Sequence, residues 1–389
     1  MPARLGLVAP PGTEAPCEWV TGSVSSGIRA AIGDLQALAS NRSAVPLPRD
    51  FVDNFWGVQA VRGMTRGEQC IVSSSSRAPG NTLLVTVSNM GHLDLVVNWA
   101  LSVVAQGVQR FVVVAVDGKL VSALREMHIP AIAMRKEWLT PPGTQQFDEL
   151  TDMLNGDAAT RAQKYETAAY AKLTKLKVLA VLSFLRAGYT VHLQDDDIGW
   201  VRGVTGKLHA FEGLLQKERT SIALMSDSAG GGDLSINTGQ YVAQPRSDVM
   251  RLLRSGLEKG GLHDQERIIA GGNKYKLLRR DAPYNELGGG WRMETWVRND
   301  ETYSIGYYGC FKGRRAQHPV KGGNFEVASV HANWVIGVEK KVACLKENAA
   351  WFLPHGASTG LSGNATAQRE VAASFASLPV HTECSAGKL

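Results

Sequence analysis

Three carboxylates in a row, Asp195-Asp196-Asp197, follow directly on Tyr189-Thr190-Val191-His192-Leu193-Gln194, a run patterned as a buried strand. In extended backbone, residues i and i+2 project to the same side, so Asp195 and Asp197 can face one cation while Asp196 points away. Hard oxygen ligands with open positions suit Mg²⁺ or Mn²⁺ bridging phosphate oxygens. A bare Asp-x-Asp arises by chance about once in a chain of this length, and its alternative is an acidic surface turn. Its position favours the first reading, because carboxylates abutting a buried strand need a neutralising partner.

Three further groups have suitable chemistry. His331 opens the segment His331-Ala332-Asn333-Trp334-Val335-Ile336-Gly337-Val338-Glu339-Lys340-Lys341. A neutral imidazole can complete a metal's ligand set, and a nearby lysine can hold a diphosphate; the alternative is a core histidine. Asn237-Thr238-Gly239 lies inside a strand pattern, where glycine marks either a bulge or close backbone approach to a ligand. Asp264-Gln265 pairs an acid with an amide, suited to sugar hydroxyls or to an ordinary helix start.

The elements that must position these groups alternate between strand and helix. Strands are expected over 83–88, 111–116, 131–134, 189–194, 221–225 and 236–243. Helices are expected over 93–106, 119–127, 159–187 and 248–258, with Gly107 and Gly188 placed as stops. A β-α-β-α-β order implies a mostly parallel sheet wrapped by helices, and ligands bind outside the carboxyl ends of such strands. Residues 281–321 are rich in glycine and aromatics and read as long loops around a site. Residues 1–80 read as an N-terminal extension, 81–353 as the domain, and 354–389 as a flexible C-terminal tail.

Composition narrows the partners. The net charge of +6 is spread along 389 residues, without the dense basic and aromatic runs of a nucleic-acid binder. The lysines of 172–177 and the basic group 312–315 read as solvated faces. Five cysteines lack Cys-x-x-Cys spacing, so no zinc or redox motif is indicated, and most are expected to be free thiols. The first 19 residues carry four prolines and no apolar core of a signal peptide, and no stretch is long enough to span a bilayer.

Taken in order, the motifs resemble the nucleotide-diphospho-sugar transferases of glycosyltransferase family 77. The matching runs are 85–89, Asn98-Trp99, 113–117, 172–175, 188–200, Ser226-Asp227, Asn237-Thr238-Gly239, Asp264-Gln265 and 330–334. Two positions depart from the family pattern: 201–204 reads Val-Arg-Gly-Val in place of an Arg-Asp-Pro turn, and Gly199 replaces a bulky residue. The resemblance implies a GT-A type, Rossmann-like α/β fold and a retaining transferase. Its donor would be a UDP-sugar, usually of xylose, arabinose or galactose, and its acceptor a glycan or glycoprotein hydroxyl. Asp195, Asp197 and His331 would hold Mn²⁺ or Mg²⁺, and Lys340 and Lys175 the phosphates. Thr86, Ser88 and Asp117 would hold the nucleoside, with Asn237 and Gly239 also at the donor. Asp264 and Gln265 would bind the transferred sugar. Golgi residence follows from the resemblance, and a soluble cytoplasmic protein from the lack of an anchor. The rival readings are a metal-dependent phosphohydrolase acting on nucleotide sugars and a non-catalytic nucleotide-sugar binder.

Overall fold

The computed structural model describes residues 64–75, 82–139, 150–155, 160–163, 167–201, 220–226, 236–258, 292–296, 304–305, 329–333, 335–353, 360–378, 381 and 384. Helices are α1 (Arg66–Ser75), α2 (Leu93–Ala105), α3 (Gly118–Glu126), α4 (Thr151–Asn155), α5 (Ala168–Arg186), α6 (Ser247–Glu258), α7 (Val338–Glu347) and α8 (Ala365–Phe375). Strands are β1 (Thr82–Ser88), β2 (Val112–Ala115), β3 (Ala131–Ala133), β4 (Thr190–Gln194), β5 (Ile198–Trp200), β6 (Thr220–Ser226), β7 (Ile236–Ala243), β8 (Arg292–Trp296), β9 (Ser304–Ile305) and β10 (Ser329–His331).

A seven-stranded sheet runs β3-β2-β1-β4-β7-β6-β8, and a three-stranded sheet runs β5-β10-β9. In the large sheet only β7 is reversed, pairing antiparallel with both β4 and β6. The chain is thus an α/β protein with a mostly parallel sheet flanked by helices, as its β-α-β pattern predicts. All of β1 is buried, and its residues divide by parity between two apolar layers. Leu83, Val85 and Val87 pack with Leu179 and Phe184 of α5 and Leu253 of α6. Leu84 packs on the other side with Trp99 of α2, Leu120 of α3 and Phe375 of α8.

Segments on both sides of the expected 81–353 domain pack against it, and one expectation needs correction. Before residue 81, α1 buries Cys70 and Val72, and Ser75 Oγ donates to Phe111 O at 2.8 Å. Buried Glu68 on the same helix pairs with Arg135 and, at 3.4 Å, with Arg125. After residue 354, α8 packs in the same way. Asn364 caps α8 through Ala367 N, and Leu361, Val371 and Phe375 complete the second apolar layer. The cysteines are not mostly free. Cys70 and Cys384 form a disulfide across a separation of 314 residues, and Cys344 is disulfide-bonded too. Phe375→Ala should therefore cost about 3–5 kcal/mol of stability, a core-sized loss. Chemical denaturation tests this; an unchanged midpoint would return α8 to the status of a tail.

The long helix also starts later than the expected 159. Thr167 caps it, accepting from Tyr170 N at 3.2 Å, and the helix proper begins at Ala168. The boundaries of β7 and α6 agree with the pattern to within a residue. Among the described residues, no helix is long and apolar enough to cross a membrane.

Candidate active site

The acidic triplet lies where the chain leaves the large sheet for the small one. β4 ends at Gln194, Ile198 N donates back to Asp195 O at 3.3 Å, and β5 begins immediately. The triplet is therefore a tight turn rather than the extended run that the two-residue alternation assumes. The turn still separates the middle carboxylate from its neighbours. Asp196 accepts from Ser88 Oγ at 2.6 Å and lies 3.0 Å from His92 Nδ1. Asp195 and Asp197 turn instead toward His331.

Two backbone contacts bring the other groups in. β10 runs antiparallel to β5 with His331 opposite Ile198, and Ala332 N donates to Asp197 O at 3.0 Å. On the opposite side, Asp195 N donates to Gly239 O at 2.7 Å, extending the β4–β7 pairing by one step. Here β7 bulges: Leu224 faces Tyr241 but Met225 faces Asn237, so residues 238–240 arch out relative to β6. The arch presses Gly239 against the acidic turn. A Cβ there would lie inside contact distance of His331 Cε1 and 2.8 Å from Asp195 Oδ2, so only glycine fits.

Asp195, Asp197 and His331 each offer an atom within 4.8 Å of the others, a set that could hold a metal ion. His331 Nε2 is 3.2 Å from Asp197 Oδ1 and 3.8 Å from Asp195 Oδ2. Asp197 Oδ1 is buried without a hydrogen-bond partner, so the 3.2 Å approach is close but not aligned for a hydrogen bond. Neighbouring ligands on an octahedral ion of bond length about 2.1 Å stand roughly 3 Å apart. The donor set, two carboxylates and an imidazole, therefore fits a divalent cation in chemistry and spacing.

The remaining carboxylate oxygens are held by lysines. Lys177 Nζ of α5 is 2.8 Å from Asp195 Oδ1, and Lys341 Nζ of α7 is 2.6 Å from Asp197 Oδ2. Burial alone would raise the pKa of Asp197, yet Lys341 and His331 hold its carboxyl well below the usual range. Burial alone would lower that of Lys341, but Asp197, then Asp196 and Asp195, hold it above its ordinary 10.5. The stabilisation from Asp197 is present above its unfolded value near 3.8 and is lost as pH falls through its lower folded value. That from Lys341 is present below 10.5 and is lost as pH rises through its higher folded value. Lys341→Met should thus cost stability near neutral pH and let the Asp197 carboxyl titrate higher than in the wild type. The cost should sit near the low end of roughly 3–5 kcal/mol, because the lysine keeps some solvent contact. Melting curves near neutral pH test it; an unchanged midpoint contradicts the pair.

Three carboxylates against two ammonium groups leave this cluster net negative, the setting in which a cation is retained. The lysines that reach the carboxylates are not Lys340 and Lys175. Lys340 is exposed, and its neighbour Lys341 reaches the site. Lys175 lies about 200° around α5 from Lys177, and it is Lys177 that reaches Asp195. A signal existed for Lys177: it stands at the head of the apolar run 178–182, where a solvated lysine is out of place.

Two of the three nucleoside candidates, Ser88 and Asp117, have structural partners. Thr86 is fully buried, Ser88 is bonded to Asp196, and Asp117 caps α3 through Leu120 N while accepting from Met90 N at 2.7 Å. Asn237 Oδ1 accepts from Gly239 N at 2.8 Å and so shapes the arch. Asn98 clamps the 350–352 segment, donating to Ala350 O and accepting from Phe352 N. Gly199 lets that segment pass close, since a Cβ would meet Ala350 Cβ at 2.8 Å. Asp264 and Gln265 lie outside the described residues.

A model of the nucleotide-diphospho-sugar transferase family matches residues 106–345. The chain belongs to that family. The match spans α5, the acidic turn, β7, β10 and most of α7, and the transferase is a glycosyltransferase. Among solved structures, an active-site mutant of LgtC is similar to this transferase at 12% identity and a TM-score of 0.31, covering 71% of this chain and 98% of that one. No curated protein matches the transferase.

Proposed function

We propose that this transferase moves a sugar from a UDP-sugar to a hydroxyl of a glycan or glycoprotein, with Asp195, Asp197 and His331 holding Mn²⁺ or Mg²⁺. The observation that carries this is the convergence of those three side chains at the carboxyl end of β4, within the family region. When bound, the cation supplies a Lewis acid for the oxygens of the diphosphate leaving group. Among the described residues, Lys177 and Lys341 reach the carboxylates and are the residues we assign to the diphosphate, with Asp195 and Asp197 acting through the cation. Fixed charge of this kind stabilises a departing anion without reorganisation when the bond breaks. We keep Asp264 and Gln265 as the sugar-binding pair. The nucleoside is assigned to the ends of β1 and β2, where Ser88 and Asp117 shape the backbone rather than offering free oxygens. Within the family we place the chain with glycosyltransferase family 77, donors of xylose, arabinose or galactose being preferred.

Transfer should retain the anomeric configuration. Retention requires either a carboxylate nucleophile or attack from the face that the diphosphate leaves. The two lysines and the metal-binding side chains, which can stabilise the departing diphosphate, favour the second. Proton NMR of the product's anomeric centre tests this, and a β-linkage from an α-configured donor would refute it.

A Golgi or other oxidising lumen is the location we assign, because the Cys70–Cys384 disulfide ties α1 to the C-terminal region. A phosphohydrolase reading would gain from a second cluster of metal ligands; among the described residues Asp195, Asp197 and His331 form the single such group. A screen of UDP-sugars with Mn²⁺, reading UDP release and acceptor labelling, separates the alternatives. Glycosylated acceptor is the expected product, and free sugar phosphate would overturn the reading.

A further inference from the structure

Under the acidic turn lies a buried polar network in an otherwise apolar layer. His192, Gln194 and Gln240 are buried, as are the indoles of Trp99 and Trp200. Trp99 Nε1 donates to Gln194 Oε1 at 2.7 Å and Trp200 Nε1 donates to the same oxygen at 2.9 Å. An indole nitrogen can only donate, so these two contacts fix which end of the Gln194 amide is oxygen. Gln194 Nε2 is then a donor, and it stands 3.3 Å from His192 Nε2. Gln240 Nε2 approaches the same ring nitrogen at 3.4 Å. A ring nitrogen facing a fixed N–H donor must itself carry a lone pair.

We infer that His192 is a positioning residue for the metal-binding turn: a neutral Nδ1–H imidazole whose Nε2 accepts from Gln194 and Gln240 and so ties the strand ends together. The network reaches the acidic turn, the arch of β7 and, through β5, the strand that carries His331. Gln194 precedes Asp195, and Gln240 follows Gly239, whose carbonyl receives Asp195 N. Trp200 ends β5, the strand that pairs with β10 and thereby places His331. Burial pushes the His192 imidazole down to about 3, which agrees with a permanently neutral acceptor. The inference rests on the metal reading for its consequence but not for the tautomer.

Two measurements on the full chain test it. Nitrogen-15 NMR of histidine in the wild-type protein should show His192 with an unprotonated Nε2 and a protonated Nδ1; the opposite tautomer would overturn the inference outright. Mn²⁺ titration, read from the EPR signal of the free ion, should show His192→Leu binding about 10–100-fold more weakly than wild type. His192→Gln, which restores an acceptor oxygen near the place of Nε2, should recover most of that loss. A folded His192→Leu variant with wild-type Mn²⁺ affinity, or equal loss in both variants, would show that the histidine only fills space. If wild type itself bound no Mn²⁺, the metal reading would fail while the tautomer still decided the hub. The tautomer measurement needs no variant, so a leucine variant that fails to fold does not shield the inference.

Discussion

Asp197→Asn is expected to lower turnover of a UDP-sugar by about 10²–10³-fold, the loss typical of removing one preorganised electrostatic group. The substitution keeps shape, so packing changes little, but it removes the charge that Lys341 faces at 2.6 Å and that His331 approaches at 3.2 Å. Asp195→Asn should behave alike, because each carboxylate sends one oxygen to a lysine and the other toward His331. Asp196→Asn should cost much less activity, since Asp196 serves Ser88 and His92 instead. UDP release under saturating donor measures all three. Equal losses at 195, 196 and 197 would show that the triplet matters only for folding.

Gly239→Ala should be as damaging by a different route. The added methyl would press on His331 Cε1 and stand 2.8 Å from both Asp195 Oδ2 and Asn237 Oδ1. His331 and Asn237 are buried, so relief must come from the arch in β7 or from the turn itself. Overpacking of this sort costs about 1–3 kcal/mol of stability. Activity should fall further than that figure implies, because the displaced groups are the site. The discriminating readout compares melting temperature with Mn²⁺ affinity. A variant that melts early yet binds Mn²⁺ normally would mean that the arch only shapes the sheet.

The parts of this molecule governed by local pattern were readable from sequence, and those set by pairing between distant strands were not. Alternation and glycine stops place β1, α2, β2, α3, β4, β7 and α6 within a residue or two, because a buried strand or amphipathic helix writes its period into its own residues. The reversal of β7 carries no such mark, since a doubly buried strand reads alike in either direction. The cluster of Asp195, Asp197 and His331 was reachable because two of its members are neighbours. Lys177 and Lys341 were missed because a step of one or two residues, about 100° or 200° of helical phase, decides which lysine of a pair reaches inward. The packing of α1 and α8 was missed for another reason: their apolar content is modest, and their burial depends on a surface built by residues far away in the chain. The Cys70–Cys384 pairing is of the same kind, spanning 314 residues without any local spacing to announce it.

The most direct test of the account is UDP release by the full-length protein with its preferred UDP-sugar, first in excess chelator and then after stepwise return of Mn²⁺ or Mg²⁺. Activity should be absent with chelator, return with the cation, and return in Asp195→Asn and Asp197→Asn only to a small fraction of wild type. Full turnover in excess chelator would contradict a site built on Asp195, Asp197 and His331.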